Sequence, residues 1–201
     1  MEFDIEDIIH GRLSSIEFYK KYDKYIKQGI MIDTAPLFLI LIGRLTTNQR
    51  KNLLREFGYS LELYNVFERF LKLCKIDLIR LKITPQILFE LVSHFQKSYM
   101  KVYNENEKKE IIDEFFKAHT DLLKKGFCDI GIWDTIADDR IKFLECADIS
   151  FLLHAESEKY ITLLTQDYEF YGEGTRHSNL LTINFDKIIG NADKIPEELP
   201  T

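Results

Sequence analysis

Cysteine is scarce in this chain, and what there is does not pair. Cys74, Cys128 and Cys146 are widely spaced, odd in number and set among apolar residues, and no CxxC pair occurs. That pattern argues against a disulfide framework and a structural zinc site, and makes the three cysteines small hydrophobes of the interior. Glycine and proline are sparse as well, nine and four residues. No glycine-rich phosphate loop is present, and no Pro/Gly-rich linker, repeat or low-complexity stretch divides the chain. No window reaches the run of about 18 apolar residues that a membrane-spanning helix needs. The start, "MEFDIEDIIHGR", is acidic and lacks the basic-then-apolar order of a secretory signal. Positive charge is also short: 27 Lys and Arg stand against 33 Asp and Glu, a net charge of −6. A generic polyanion binder is therefore not expected, although cations held in an acidic pocket can invert the local field. The expectation is a cytoplasmic protein with no membrane partner.

What is present suffices for one full core. The chain has 201 residues, 45% of them apolar, which suits one domain of ordinary size. Residues 2–28 carry an amphipathic helical pattern (Ile5, Ile8, Ile9, Leu13, Ile16, Phe18, Tyr19 among charges) and read as an N-terminal helical extension. "GIMID" reads as a short buried strand opening into a helix over Thr34–Gly43, with Pro36 in its first turn. "TNQRKNLLREFG" is a helix stopped by Gly58, and "SLELYNVFERFLKLC" another. "DLIRLKIT" is a second strand candidate. Thr84 is the expected N-cap and Pro85 the first residue of the helix "PQILFELVSHFQKSY". Further helices are expected over Glu107–Lys125 and from Ala147. "YITLLT" and "NLLTI" complete the strands, with Gln166–Tyr171 a turn into a short helix. Residues 29–190 form the expected main domain, 191–201 a loose tail, and Gly126–Glu145 fits no recognisable pattern. Apolar strands separated by helices point to an α/β fold with a parallel sheet, Rossmann-like and three-layered α/β/α.

In such sheets ligands gather beyond the carboxyl ends of the strands. Four carboxylates stand out against that rule. Asp33 follows the strand "IMI"; Glu90 interrupts the apolar "ILFELV"; Asp148 opens the helix "ADISFLLHA"; Asp167 follows "ITLLT". Singly, each has a structural explanation: a helix-dipole partner, a turn former or a snorkelling side chain. Converging on one sheet edge, they would raise one another's pKa. Oxygen ligands without His or Cys suit Mg²⁺ or Mn²⁺.

Strand–Asp–Thr in "IMIDT", then "ITPQILFEL", then "ADISFLLHAESEKYITLLTQDYEF" resembles the PIN domain family over about residues 29–190. The resemblance implies a Rossmann-like parallel sheet and cleavage of single-stranded RNA, or related nucleic acids, with one or two bound Mg²⁺ or Mn²⁺ ions. It matches the family's acidic positions to Asp33, Glu90, Asp148 and Asp167, with Thr34 and Thr165 in support. The N-terminal 28 residues and the long helices after Asp33 depart from the compact form of the family. The implied enzyme is a metal-dependent endoribonuclease: an RNA-processing nuclease, or a toxin with a protein antitoxin. A homodimer is expected from the apolar N-terminal arm. Arg44, Arg50, Lys51 and Arg55 could grip phosphates, with His94 and Lys97 on the face of Glu90, and Arg176 and His177 in a mobile loop near Asp167; for the basic run a solvated helix face is an equal alternative. Asp134, Asp138 and Asp139 could add a metal contact or stay solvated. Two other classes stay open: a catalytically silent PIN-like module binding RNA or protein, and a Mg²⁺-dependent phosphohydrolase on another α/β arrangement, whose usual motifs are missing.

Overall fold

A computed structural model describes residues 1–99 and 105–200; the side chains at 47–49, 95, 97–99, 105, 107 and 108 are outside the description. The chain alternates helices with short parallel strands. In order they are α1 (Glu6–Ile9), α2 (Ser15–Ile26), β1 (Ile30–Ile32), α3 (Thr34–Gly43), α4 (Thr47–Glu56), α5 (Leu61–Leu73), β2 (Leu81–Lys82), α6 (Pro85–Tyr99), α7 (Glu105–Gly126), α8 (Ile132–Ala137), α9 (Cys146–Ser157), β3 (Ile161–Thr165), α10 (Tyr168–Arg176), β4 (Leu180–Asn184) and α11 (Phe185–Ile189).

The four strands form one all-parallel sheet in the order β2-β1-β3-β4, with Met31 opposite Lys82 and Leu163, and Leu164 opposite Ile183. Every residue of β1, β3 and β4 is buried. Successive side chains point to opposite faces of a sheet, so both faces are covered, an arrangement compatible with three α/β/α layers. From β1 the chain crosses to β2 on one side and later returns to β3 on the other. The connection reverses direction between β1 and β3; Asp33 follows β1 and Thr165 ends β3, at the carboxyl edge where sheets of this kind form a ligand crevice.

α3 is the central helix. Nine of its ten residues are buried, and it packs on β3 and on α4, α5, α6 and α7. Phe38 stacks on Phe115 of α7 at 5.7 Å and meets Phe57 at 4.4 Å. A helix apolar all round must be enclosed, and this enclosure holds its first turn rigidly against β1. The capping of the other helices follows the sequence: Ser14 and Glu17 form a reciprocal capping box on α2, and Gly58 ends α4 at φ 75°.

Several local expectations are revised. The second strand shrinks to Leu81–Lys82, because residues Leu78–Arg80 coil into a 3₁₀ turn capped by Asp77. The sheet instead continues through Ile83, bridged to Phe127. There Gly126 lies so close that a Cβ would sit 2.3 Å from the Leu81 carbonyl oxygen. Residues 2–3 are extended, not helical: the Phe3 N–H donates to the Thr182 carbonyl and Glu2 bridges to Thr182 beside β4. Residues 1–28 share the core, with Phe3 against Phe18, Tyr22 and Phe70. The C-terminal segment is anchored, since Ile195 is buried and the Pro200 carbonyl accepts the Ser15 N–H at 2.7 Å. The stretch 126–145 contains α8 and a 3₁₀ turn over Asp139–Lys142. Among the described residues no helix is long and apolar enough to cross a membrane.

Candidate functional site: an acidic crevice at the switch point

Asp33 is the N-cap of α3, directly after β1. Its Oδ1 accepts the Thr34 N–H at 2.6 Å and its Oδ2 the Thr165 hydroxyl at 2.7 Å. Thr165 ends β3; its hydroxyl oxygen also accepts the Asp167 N–H at 3.0 Å. Asp167 caps α10 by accepting the Phe170 N–H at 2.7 Å. Thr34 works in the other direction, donating its hydroxyl to Glu90 Oε2 at 2.6 Å. Two threonines thus tie the loop after β1 to the loop after β3 and to α6. Thr165 can sit there because β3 and β1 are adjacent and in register.

Asp148 arrives from a fourth direction. It is the third residue of α9, and its carboxylate takes the Glu145 N–H at the helix start, half of a capping box. α9 is held to α6 by the buried pair Thr84 and Ser150, whose hydroxyls lie 2.6 Å apart. Asp148 is 9% exposed. Burial first, then the charges of Asp33, Asp167 and Glu90, push its carboxyl up to about 8. Asp33 is raised by burial and by Asp167, against the Thr165, Thr34 and Gln166 hydrogen bonds that favour its charge. Glu90 is raised by burial, by a hydrogen bond and charge from Glu145, and by Asp33, against the Thr34 hydroxyl. The other three carboxylates singled out in the sequence therefore all act on Asp148 through space, and among the described residues no cation is among the groups that act on it most strongly.

Glu145 is not among the acids that the sequence singles out. It is the N-cap residue of α9 without a side-chain cap bond, and its carboxyl instead meets Glu90. A signal did exist: in "ECAD", Glu145 stands three residues before Asp148 at a helix start, a spacing that gathers both near one end.

Other candidates lie elsewhere. Asp138 is bound by Arg140, which holds its carboxyl below the usual range, and Arg140 reaches on to Glu156 at 2.7 Å. Asp139 pairs with Lys142, and Asp134 lies in the first turn of α8. Arg44 and Arg50 gather around Tyr64, Arg50 donating to the Gly43 carbonyl at 3.3 Å. Lys51 is exposed on α4 and Arg55 lies against Glu56. His94 is exposed and meets the Phe38 ring edge-on. The side chain of Lys97 falls outside the described residues. Arg176 is not in a loop: it sits in the last turn of α10, paired with Glu173, and His177 caps that helix. Of the cysteines only Cys74 is fully buried; Cys128 and Cys146 are half-buried.

Among the described residues, no group of three or more His, Cys, Asp or Glu side chains is arranged to hold a metal ion. Models of known protein families, curated proteins and solved structures yield no match to this chain.

Proposed function

We propose that this protein is a metal-dependent endoribonuclease of PIN type, hydrolysing phosphodiester bonds of single-stranded RNA at the crevice between β1 and β3. The observation that carries the reading is the convergence of Asp33, Asp167 and Glu90 on the buried Asp148 at a topological switch point, with Asp33 tied to Glu90 through Thr34 and to the Asp167 loop through Thr165. Asp148 is buried, Asp33 and Glu90 are half-buried and Asp167 is exposed; ionising a buried carboxyl beside like charges is costly, and an oxygen-only acidic set suits a hard divalent cation such as Mg²⁺ or Mn²⁺. Asp33, Asp148 and Asp167 would hold it, with Glu90 beside them, once their side chains turn from the arrangement described above, in which no metal-holding group is formed among the described residues. When bound, such an ion activates water near neutral pH and offsets charge on the phosphate.

The chain's own residues have distinct parts. Thr34 and Thr165 favour the ionised form of Asp33 and fix its direction. The Asp167 carboxylate is held by the Phe170 N–H in the first turn of α10. Glu90, raised by burial and by Glu145, is suited to take a proton from the attacking water and return it to the leaving oxygen. A role as a toxin with an antitoxin partner, or in RNA processing, fits this chemistry equally.

The test is cleavage of labelled single-stranded RNA by wild type and Asp33→Asn, with Mn²⁺ and with EDTA. Wild type cuts only with Mn²⁺, and Asp33→Asn loses at least about 100-fold in rate. Equal cutting by both proteins, or cutting that survives EDTA, refutes the reading. A silent RNA- or protein-binding module is the second reading. It is favoured by the engagement of Asp33, Glu90 and Asp167 in hydrogen bonds within the protein; binding without cutting by wild type would select it.

A further inference from the structure

Beside the acidic crevice lies a cleft of about 600 Å³ between the starts of α6 and α9 and the side of α8. Gln86, Phe89, Ile132 and Ala147 wall it, and Glu90 and Glu145 line it too. Glu90 links the cleft to the acidic site: it lines the cleft, and its carboxylate accepts the hydroxyl of Thr34, whose N–H donates to Asp33.

Three properties define what could fill it. Among the described residues no Lys or Arg lines it while two carboxylates do, so it disfavours a phosphate and suits a neutral group. Phe89 is 72% exposed although it is a large apolar ring, and Gln86, Phe89 and Glu90 share one face of α6 by their spacing. Gln86 is only 8% exposed. Its Nε2 donates to the Ile130 carbonyl at 3.3 Å, but its Oε1 is buried without a partner among the described residues. A buried acceptor left unsatisfied is destabilising, and one N–H would satisfy it. A flat, neutral ring bearing N–H groups on its edge meets all three conditions.

We propose that this cleft is a nucleobase subsite: it takes one unpaired base of a single strand whose adjacent phosphodiester lies in the acidic crevice. Phe89 stacks on the ring, and Gln86 Oε1, buried in the free protein, turns toward the cleft to accept an N–H from the pairing edge. In a duplex that edge is already engaged and the ring is stacked, so the subsite selects single strands. The inference deepens the nuclease reading and rests on it for the placement of the phosphodiester.

Binding is measured in EDTA, where no cutting interferes, with a labelled single-stranded oligoribonucleotide. The fluorescence of Trp133, the only tryptophan, 78% exposed and next to Ile132, is a second readout. Phe89→Ala, a change at an exposed position, should weaken binding roughly tenfold, the usual worth of one stacked base. Gln86→Leu should weaken it several-fold, with an unchanged far-ultraviolet circular dichroism spectrum as the control for folding. An abasic strand of equal length and a complementary duplex should bind weakly and equally to wild type and Phe89→Ala. The proposal is overturned if wild type binds no oligonucleotide, if Phe89→Ala binds like wild type, or if wild type binds the abasic strand as well as the base-bearing one. Phe89-dependent binding without Mn²⁺-dependent cutting would sink the nuclease reading and leave the subsite standing. Cutting with a Kd and KM indifferent to Phe89 does the reverse.

Discussion

Replacing Asp148 by Asn should make the metal-free protein more stable, and increasingly so as pH rises. In the folded chain the Asp148 carboxyl is held up to about 8 from an ordinary 3.8. Between those two values the folded state keeps a proton that the unfolded state has lost. Stability of the wild type therefore falls as pH rises through that window, whereas the amide introduced by Asp148→Asn does not titrate. About four pKa units at about 1.4 kcal/mol each set a ceiling near 6 kcal/mol. Water entry and side-chain relaxation around an ionised Asp148 lower this to about 2–4 kcal/mol, which for a chain of this length is a Tm difference of roughly 5–15 °C. The assay is urea or thermal unfolding of both proteins in EDTA at pH 4, 6, 8 and 9. The stability difference between variant and wild type should grow from pH 4 to pH 8 and then level off. A difference constant over that range, or one that shrinks as pH rises, would refute the electrostatic reasoning. Under the proposed function, Mn²⁺ at pH 8 should also raise the Tm of wild type and leave Asp148→Asn nearly unmoved.

Thr165→Val removes the donor to Asp33 and the acceptor for the Asp167 N–H. It should cost about 1–3 kcal/mol, reduce Mn²⁺-dependent cleavage about 10–100-fold, and move the acid limb of the pH–rate profile upward; an unmoved limb would show that Thr165 does not govern Asp33. Gly126→Ala drives a Cβ to 2.3 Å from the Leu81 carbonyl oxygen, a backbone atom that cannot turn aside, so a loss of about 1–3 kcal/mol or more is expected in denaturant unfolding. Gly172→Ala, in α10 with nothing within 4 Å, is the contrasting control and should gain up to about 1 kcal/mol.

Local signals in the sequence marked much of this molecule. Apolar runs such as "IMI" and "ITLLT" have to be buried on both faces, which points to a parallel sheet before any pairing is known. A carboxylate directly after such a run, or at the start of a helix, has few places to go but the carboxyl edge of that sheet; hence Asp33, Asp148 and Asp167 were visible. Thr34 and Thr165 were singled out only through the resemblance to the PIN domain family, which places a threonine beside two of those carboxylates.

Where the sequence was silent, the deciding contacts were far apart along the chain or hidden in a local competition. Leu78–Arg80 has strand-like residues, but Asp77 captures the Ile79 N–H and the local turn wins. Residues 2–3 look like the start of a helix, but the N–H of Phe3 finds the free edge of β4 at Thr182, a partner at the other end of the chain and invisible to any local window. Glu145 became part of the acidic site only because the buried Thr84–Ser150 contact brings α9 against α6. The unpartnered Gln86 oxygen depends likewise on where α8 and α9 close over α6. Composition and periodicity alone determined that the chain builds an enclosed parallel sheet with acids at its carboxyl edge, since burial acts on each segment separately. Which acids meet, which threonines hold them and which cleft opens beside them were decided by the tertiary structure, because hydrogen bonds and like-charge repulsion act over a few ångströms of space whatever the distance along the chain.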